Sequence, residues 1–433
     1  MKLFKLCFAA AIVFMFFNLV FAENDGYKHR ILKVDIDGPI TPATEELLQG
    51  SIARAQDEDF IALMIRLDTP GGLAESMRNM VKDILNSEVP VIVWVDPPGA
   101  RATSAGVFLV AASDHAVMSP MTTIGSASPV TMGGEEQDET MAAKIINEML
   151  SLVRSVAKDK DRNIEWYERA VTEAANIYAE EALQKRVIDH IAVSEEDLLS
   201  QLGKKGIYVA GEEITFDSQD IYIVQFEPGI KYKILSWLLH PQIAYLLFLA
   251  GMAGLFFELS NPGAIFPGVI GSMCLVMGLY SLAVLPTNIA GILLLILGFI
   301  FIILEVNMPT FGLLTTAAIA SFFFGSLFLF DAEHPYFQIP TMTIIPVVLI
   351  MTVVLLGLAY LIGRSQMAPK THQTGLPDNT STAKVVNWTG THGQVKIRGE
   401  IWRAQSREYV SLQPGQDVQI EQIEGLTIYI KPV

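Results

Sequence analysis

The chain has 433 residues, of which 51% are hydrophobic, and its mean hydropathy is +0.39. This length and this apolar content exclude a single soluble domain and indicate membrane-spanning segments. The formal net charge of −16 argues against a nucleic acid as the main partner, because nucleic-acid-binding domains present basic surfaces.

The first 22 residues, MKLFKLCFAAAIVFMFFNLVFA, have the features of a secretory signal peptide. Lysines begin the segment, an apolar stretch follows, and small residues flank Phe21, so cleavage is expected after Ala22. An uncleaved anchor helix is the alternative. With cleavage, residues from 23 onward lie outside the cytoplasm. Cys7 is in this segment and Cys274 in an apolar span, so no internal disulfide is expected in the mature chain.

Residues 30–202 alternate short apolar runs with amphipathic stretches. The continuous apolar runs predict strands covered on both faces, and apolar residues at helical spacing predict helices between them. This alternation indicates an α/β domain with a largely parallel sheet. The predicted strands are RILKVDIDG, FIALMIRLD, VPVIVWVD and HAVMS, and the predicted helices are TPATEELLQGSIARAQ, LAESMRNMVKDILNS and TSAGVFLVAAS. A helix-rich stretch over 138–176 and a strand-rich stretch over 205–230 complete the domain.

Two glycines follow the second predicted strand in LDTPGG. Gly71 and Gly72 allow backbone N–H groups to point into a cleft, as an oxyanion hole requires. Pro-Gly-Gly is also a common turn, so an ordinary turn is the alternative.

Ser104 follows the strand VIVWV and the turn DPPGA. At the first turn of a helix its hydroxyl is expected at the sheet edge, where N–H groups such as that of Ala105 are placed to stabilise developing negative charge. The alternative is that Thr103 or Ser104 is an ordinary helix N-cap, the usual role of these residue types there.

A nucleophilic serine needs a base, and the nearby histidines do not provide one. His115 follows Asp114, but the intervening helix of about ten residues places it roughly 15 Å from Ser104, too far for proton transfer. His190, beside Asp189, is predicted to be a surface residue.

Lys144 is the better candidate base. In MAAKIINEML it is flanked by alanines and isoleucines, an apolar setting in which a lysine gives up its proton more readily. This favours a Ser-Lys pair. An ordinary helix lysine is the alternative at this position. Lys158 and Lys160 lie among charged residues and are predicted to be solvated.

Five apolar spans follow, and each approaches or reaches the roughly 20 residues that cross a bilayer as a helix. Five crossings after a cleaved signal put the C-terminus in the cytoplasm. Arg364 and Lys370 agree with this topology, and Lys231 and Lys233 oppose it weakly. The spans are 239–257, 264–285, 288–306, 311–330 and 341–363.

Two stretches within the spans have similar sequence patterns. FFELSNPGAIFPGVIG and ILEVNMPTFGLL each place a glutamate at the end of one span, then asparagine, proline and a glycine entering the next. Two tandem helical hairpins with bends on the same side are predicted. Glu258 and Glu305 are interpreted as interfacial anchors rather than parts of a proton path.

The last residues predict five short strands after a polar linker, and so a small barrel of the OB type. Trp388 and Trp402 lie among mixed charges and are interpreted as core or protein-contact residues rather than as platforms for nucleic-acid bases.

Several of these motifs together resemble the NfeD-type membrane serine proteases. They are LDTPGG, PPGARATSAG, TTIGSASPV, IYAEEALQKRVID, FELSNPGAIFPGVIG and IRGEIWRAQS, and the resemblance covers nearly the whole mature chain. It implies a protease domain of the Clp/crotonase fold, a helical membrane domain and a C-terminal OB-like barrel. It also implies a stomatin-like partner, membrane-protein substrates and a homo-oligomer.

The resemblance assigns roles to particular residues. Ser104 is implied as nucleophile and Lys144 as general base. The oxyanion hole is implied at Gly71, Gly72 and Ala105. Gly125 and Ser126, in TTIGSASPV, are implied to line the cleft.

The expected organisation is a signal peptide (1–22), a protease domain (23–232), a membrane domain (233–365), a linker (366–380) and a barrel (381–433). The protein is expected in the cell (inner) membrane, with the protease domain extracytoplasmic and the barrel cytoplasmic. No metal or cofactor is expected, since neither a Walker motif nor a His/Cys ligand cluster is present in the sequence. The alternative is a non-catalytic scaffold for stomatin-like assemblies; acyl-CoA chemistry is disfavoured because it needs cytoplasmic CoA.

Overall fold

The computed structural model describes residues 28–129, 139–209, 211–260, 265–308, 310, 312–330, 337–367 and 382–432. The expected signal peptide and most of the expected linker lie outside these residues. The chain divides into two compact units, Met1–Ala359 and Tyr360–Val433, which are described separately.

A six-stranded parallel sheet organises the first unit, in the order β11-β1-β2-β3-β5-β8. Its strands are β1 (His29–Asp37), β2 (Ala62–Asp68), β3 (Val91–Val95), β5 (His115–Met118), β8 (His190–Ile191) and β11 (Ile221–Gln225). The four strands predicted from apolar runs are all present in it. The strand-rich stretch near residue 220 returns the chain to the sheet edge, where β11 pairs with β1.

Helices cover both faces of this sheet, as the continuous apolar strands predict. Alternate residues of β2 face opposite ways, so Leu63 and Ile65 join the larger core while Ala62 and Met64 join the smaller one. The helices are α1 (Pro42–Asp57), α2 (Ala74–Leu85), α3 (Ala105–Ala112), α4 (Glu139–Asp159), α5 (Ile164–Thr172), α6 (Ala179–Gln184) and α7 (Glu195–Lys205). Leu198, Leu199 and Leu202 of α7 belong to the smaller core.

Short strands form two further sheets, of which only the one within the predicted strand-rich stretch 205–230 is indicated by the sequence. A three-stranded sheet contains β4 (Arg101–Thr103), β6 (Thr123–Gly125) and β7 (Asn176–Tyr178), in the order β4-β6-β7. β9 (Ile207–Val209) and β10 (Glu212–Ile214) form an antiparallel pair. Three residues are too few to show an alternating pattern, which is why β4, β6 and β7 are not predicted from the sequence.

Apolar helices form the rest of the first unit, and the last of them extends past its end at Ala359. After α8 (Ile230–Leu238) come α9 (Pro241–Ser260), α10 (Ile265–Val284), α11 (Ile289–Asn307), α12 (Leu313–Leu327) and α13 (Thr341–Met367). Within the described residues, Pro241–Leu259 and Ile265–Val284 are long and apolar enough to cross a membrane, and the apolar segments Ile289–Glu305, Leu313–Leu327 and Thr341–Val354 are shorter. The five predicted spans thus coincide with five helices, and the number that cross a bilayer stays a prediction.

The predicted tandem hairpins correspond to the pairs α9–α10 and α11–α12. In the first pair the backbones approach closely at glycines, because a Cβ on Gly254 would lie 2.7 Å from the Cα of Gly271. Glu305 accepts hydrogen bonds from Thr310 Oγ1 at 2.6 Å and from the N–H of Gly312 at 3.1 Å, just before α12 begins. This carboxylate therefore caps the next helix, and its location at a membrane interface stays a prediction.

The second unit contains a closed five-stranded barrel in the order β12-β13-β14-β16-β15. The strands are β12 (Thr382–Thr389), β13 (His392–Ile397), β14 (Glu400–Gln405), β15 (Asp417–Glu424) and β16 (Thr427–Pro432); β14 and β16 pair in parallel. Trp388 and Trp402 are half-buried and pack against the barrel core, as the sequence interpretation holds.

Candidate active site

The ends of β2 and β4 bring the two glycine-containing motifs together. The N–H of Thr69, directly after β2, donates to the carbonyl of Arg101 at 2.8 Å, and the N–H of Thr103 donates back to the carbonyl of Thr69 at 3.1 Å. LDTPGG and the segment around Ser104 are thereby held side by side, although more than thirty residues separate them in the sequence. Gly106 completes the contact, since a Cβ there would lie 2.6 Å from Thr69 Cγ2.

Ser104 has a strained backbone. Its φ is 53° and its ψ is −112°, in a region that non-glycine residues rarely adopt. The N–H of Ser104 donates to the carbonyl of Gly125 at 3.1 Å, which helps to hold this conformation. Ser104 occupies the N-cap position of α3, but its side chain makes no capping hydrogen bond. The hydroxyl therefore does not perform the ordinary capping function.

Gly71 approaches Ser104 too closely for any side chain. A Cβ on Gly71 would lie 2.6 Å from Ser104 Cβ and 3.0 Å from Ser104 Oγ, and the φ of Gly71 is +113°. Gly72 is equally restricted, because a Cβ there would lie 2.1 Å from the carbonyl oxygen of Ile40. The turn thus needs both glycines for space as well as for conformation.

The three expected oxyanion-hole donors differ in their bonding. The N–H of Gly71 donates to Thr69 Oγ1 at 3.1 Å, so that group is occupied. Among the described residues, the N–H groups of Gly72 and Ala105 have no hydrogen-bond acceptor. Ala105 is the first residue of α3, where N–H groups lack partners within the helix. Gly72 and Ala105 are therefore the donors that remain open to a bound anion.

Gly125 contacts the backbone of Ser104 directly, and Ser126 follows it; that the two residues line a substrate cleft stays a prediction. The carbonyl of Gly125 accepts from Ser104, and a Cβ on Gly125 would lie 2.1 Å from the carbonyl oxygen of Ala175. Ser126 has a φ of 54°, and its Oγ accepts a hydrogen bond from Asn176 Nδ2 at 3.2 Å. Strand β7 thus supports the loop that holds the backbone of Ser104.

Lys144 lies on α4, and its side chain is exposed. The expected apolar pocket around it is absent from the described residues. The reason is helical geometry: Met149, Val153 and Val156 form the buried stripe of α4, and Ile145 continues this stripe towards the N-terminus. Lys144 is five residues before Met149, which places it on the other side of the helix.

Arg162 is a buried residue that sequence analysis does not single out. Its Nη1 donates to the carbonyls of Val110 and Ala111, each at 2.8 Å, and its Nη2 donates to Asp189 at 2.7 Å. These carbonyls belong to the last turn of α3, so Arg162 caps the C-terminus of the helix that begins beside Ser104. Its segment, KDKDRN, looks solvated in the sequence and gives no signal of this role.

The structure agrees that His115 is not a partner of Ser104. His115 is buried beyond the C-terminal end of α3, and burial lowers the pKa of His115 to about 4. Asp114 instead accepts from the N–H of Val91 and pairs with Lys160, each at 2.8 Å. The prediction that Lys160 is solvated is therefore wrong, because it forms this ion pair.

The surface prediction for His190 is also wrong. His190 is half-buried on β8, and its ring centroid lies 6.3 Å from that of His115. Burial is the main cause that lowers the pKa of His190, and the positive charge of Lys205 acts in the same direction. The described residues contain no cluster of three or more His, Cys, Asp or Glu side chains suited to a metal ion.

Three protein-family descriptions match successive parts of the chain. Residues 30–209 match the NfeD1b N-terminal domain, and residues 242–361 match the NfeD integral membrane domain. Residues 381–432 match the NfeD-like C-terminal, partner-binding domain.

Two characterised relatives match in sequence. Membrane-bound protease PH1510 of Pyrococcus horikoshii is 30% identical over 414 residues, which cover 93% of each chain. Membrane protein NfeD1b of Bacillus subtilis is 29% identical over 317 residues, which cover 70% of this chain and 67% of that protein.

Solved structures are similar to the N-terminal half of the chain. One is a lysine-to-alanine mutant of the 1510-N membrane-bound stomatin-specific protease in complex with a substrate peptide. It is 31% identical and covers 49% of this chain and 98% of its own, with a TM-score of 0.44. The 1510-N membrane protease specific for a stomatin homolog from Pyrococcus horikoshii is 30% identical with the same coverage and a TM-score of 0.42.

Proposed function

Because this chain belongs to the NfeD family of membrane proteins, we propose that it is a membrane-anchored serine endopeptidase in which Ser104 is the nucleophile and Lys144 the general base. One observation carries the proposal. Ser104 is held in a strained conformation against the Gly71–Gly72 turn, and its hydroxyl does not cap α3. Strained backbone of this kind marks functional sites, and the sharp turn before a helix is the setting of many nucleophilic serines.

The proposed chemistry uses Ser104, Lys144 and the N–H groups of the Gly71–Gly72 turn and of α3. Neutral Lys144 accepts the proton of Ser104 Oγ, which attacks a peptide carbonyl. The N–H groups of Gly72 and Ala105 stabilise the oxyanion, since both lack an acceptor among the described residues. The lysine then protonates the leaving amine, and water hydrolyses the acyl-enzyme. Gly71 holds its neighbour in place rather than donating, because its own N–H is bonded to Thr69.

Lys144 needs a cover to act as a base, because its side chain is exposed in the single chain. A bound substrate segment or a second copy of the chain would exclude water from this side of α4. We therefore include a homo-oligomer in the proposal. It is also what the family resemblance implies for this domain.

The substrates that we propose are apolar or membrane-proximal segments of membrane proteins, with a stomatin-like protein as partner. Two matches support this: an integral membrane domain follows the first domain in the chain, and the C-terminal residues match a partner-binding description. We assign the first domain to the Clp/crotonase type on its parallel sheet with helices on both faces, and the barrel to the OB type on its strand order. Five crossings would leave the protease domain outside the cell membrane and the barrel in the cytoplasm.

A non-catalytic scaffold is the second candidate. It is favoured by the exposure of Lys144 and by the relative described only as membrane protein NfeD1b. The scaffold would bind the same stomatin-like partner without cleaving any substrate.

The test is peptide hydrolysis and labelling by a serine-directed probe in Ser104→Ala, with Ser194→Ala as the matched control. Ser194 also occupies a helix N-cap position, that of α7, where its side chain accepts from the N–H of Asp197. Ser104→Ala is expected to lose both signals, with a rate decrease of about 10³-fold or more, while Ser194→Ala keeps them. Cleavage that persists in Ser104→Ala would contradict the nucleophile assignment. Partner binding by a wild type that cleaves nothing would support the scaffold.

A further inference from the structure

Helix α8 (Ile230–Leu238) joins the first domain to the membrane helices and has two different faces. On one face, Tyr232 packs against the main core of the domain and Leu238 is buried. On the other, Ile230, Ile234 and Trp237 are 76%, 56% and 51% exposed. These three residues are spaced by four and three positions, so they form one apolar stripe along the helix.

The stripe borders a groove between α8 and α10. The groove has a volume of about 510 Å³ and is lined by Ile230, Lys231, Ile234, Leu235 and Tyr280. Beyond Tyr280, the side chains of Met273 and Val276 on α10 are also exposed and apolar. The apolar surface of α8 is therefore continuous with that of a helix long and apolar enough to cross a membrane.

Two lysines on α8 have different roles. Lys231 forms an ion pair with Glu46 of α1, which fastens α8 to the first domain. Lys233 is exposed beside the stripe. Amphipathic helices that lie at a membrane surface combine apolar and aromatic side chains on one side with flanking cations. Trp, Tyr and Lys are the residues that favour the level of the lipid headgroups.

We propose that α8 lies in the plane of the membrane interface, with its stripe among phospholipid acyl chains and Lys233 at the headgroups. The adjacent integral membrane domain favours lipid, rather than another protein, as the partner of the α8 stripe. α9 begins at Pro241, four residues after Trp237, so the stripe lies at the level where the chain enters the bilayer. Through Lys231 and Tyr232, α8 then holds the first domain on the bilayer surface. This position would bring Ser104 close to membrane-proximal substrates, an inference that rests on the proposed function.

Fluorescence quenching by brominated lipids tests the location of α8 without any measurement of activity. The full chain is placed in phospholipid nanodiscs with or without bromine on the acyl chains. Trp237 is one of five tryptophans, so its emission is obtained as the difference between wild type and Trp237→Phe. We expect the emission of Trp237 to be quenched when the bromine is near the headgroup end of the acyl chain. Quenching should be weaker when the bromine is at the end of the chain.

Two further variants, made in the Trp237→Phe background, control the position of the probe. Ile234→Trp places the probe on the stripe, and Val193→Trp places it at a site that is 71% exposed elsewhere on the first domain. We expect quenching for Ile234→Trp and none for Val193→Trp. If either Trp237 or Ile234→Trp is not quenched, the stripe does not lie among the acyl chains and the proposal is wrong. Equal quenching at all three positions would also overturn it, since contact with lipid would not be specific to α8.

Discussion

Gly71 and Ser104 are so close that a Cβ on the glycine would lie 2.6 Å from Ser104 Cβ. Two motifs that are distant in the sequence thus share one site, and neither can change shape without disturbing the other. The contact makes Gly71 a test of the geometry around Ser104 that leaves the serine itself in place.

Gly71→Ala is expected to reduce peptide hydrolysis by about 10² to 10³-fold, because the new Cβ displaces Ser104 and the adjacent Gly72 donor. Gly38→Ala is the matched control. Its φ of +115° is nearly that of Gly71, +113°, but a Cβ on Gly38 has no heavy atom within 4 Å. Both variants incur a backbone cost of about 1 kcal/mol, and only Gly71→Ala should lose activity. Equal activity in the two variants would contradict the arrangement.

Lys144→Met is expected to abolish hydrolysis, because no other group in the proposal accepts the proton of Ser104. Lys144→Arg should also be inactive, since a guanidinium keeps its proton. Lys158→Met is the control, because Lys158 is also exposed and lies on the same helix. Rates are measured for all variants across neutral and alkaline pH. A Lys144→Met enzyme with wild-type rates would remove the lysine from the mechanism.

Arg162→Met is expected to lower the free energy of unfolding by about 3 to 5 kcal/mol, because it leaves Asp189 and the last carbonyls of α3 without their buried donor. Arg154→Met is the comparison. The ion pair of Arg154 with Glu168 is at the surface, where such pairs contribute about 0 to 1 kcal/mol. Thermal and denaturant unfolding of both variants measure the difference, and equal losses would contradict the capping role of Arg162.

The stability of the first domain is expected to fall as the pH decreases from about 6.5 to about 4. The pKa of His115 is lowered to about 4 in the folded chain, mainly by burial; Lys205 and His190 act in the same direction, and Asp189 and Asp114 oppose them. The folded state therefore favours neutral His115. Neutral His115 makes its full contribution to the free energy of unfolding above the pKa of the unfolded chain, about 6.5. This contribution of about 3 kcal/mol is lost by about pH 4.

His115→Gln should make the unfolding free energy of the first domain less dependent on pH in this range. His29→Gln, at a half-buried position outside the His115–His190 pair, should leave the dependence as it is. Denaturant unfolding at a series of pH values distinguishes the two. An unchanged slope in His115→Gln would show that other groups cause the acid sensitivity.

The main sheet could be predicted because its strands are buried on both faces. β3 is buried at all five positions, and the run VIVWV shows this directly in the sequence. The pairing of β11 with β1 could not be predicted, since it joins the end of the domain to its beginning. The three-residue strands β4, β6 and β7 are stabilised by contacts between distant segments and leave no periodic pattern.

The candidate site was predictable in its residue types but not in its bonding. Glycines before a helix and a serine at its start indicate an anion-stabilising turn from the sequence. That Thr69 occupies the N–H of Gly71 depends on side-chain geometry, which no motif specifies. The exposure of Lys144 could be predicted in part from helical spacing, because the apolar stripe of α4 includes Ile145 and not Lys144.

Helix α3 is buried along its whole length, from Ala105 to Ala112. Such a helix has no independent stability in water, because eight residues are too few to maintain one without tertiary packing. The strained conformation of Ser104 at its start therefore exists only once the surrounding core has formed. A newly synthesised, unfolded chain has the same serine without the geometry that would make it reactive. If Ser104 is the nucleophile, as proposed, folding of the surrounding core is the step that creates its reactive geometry.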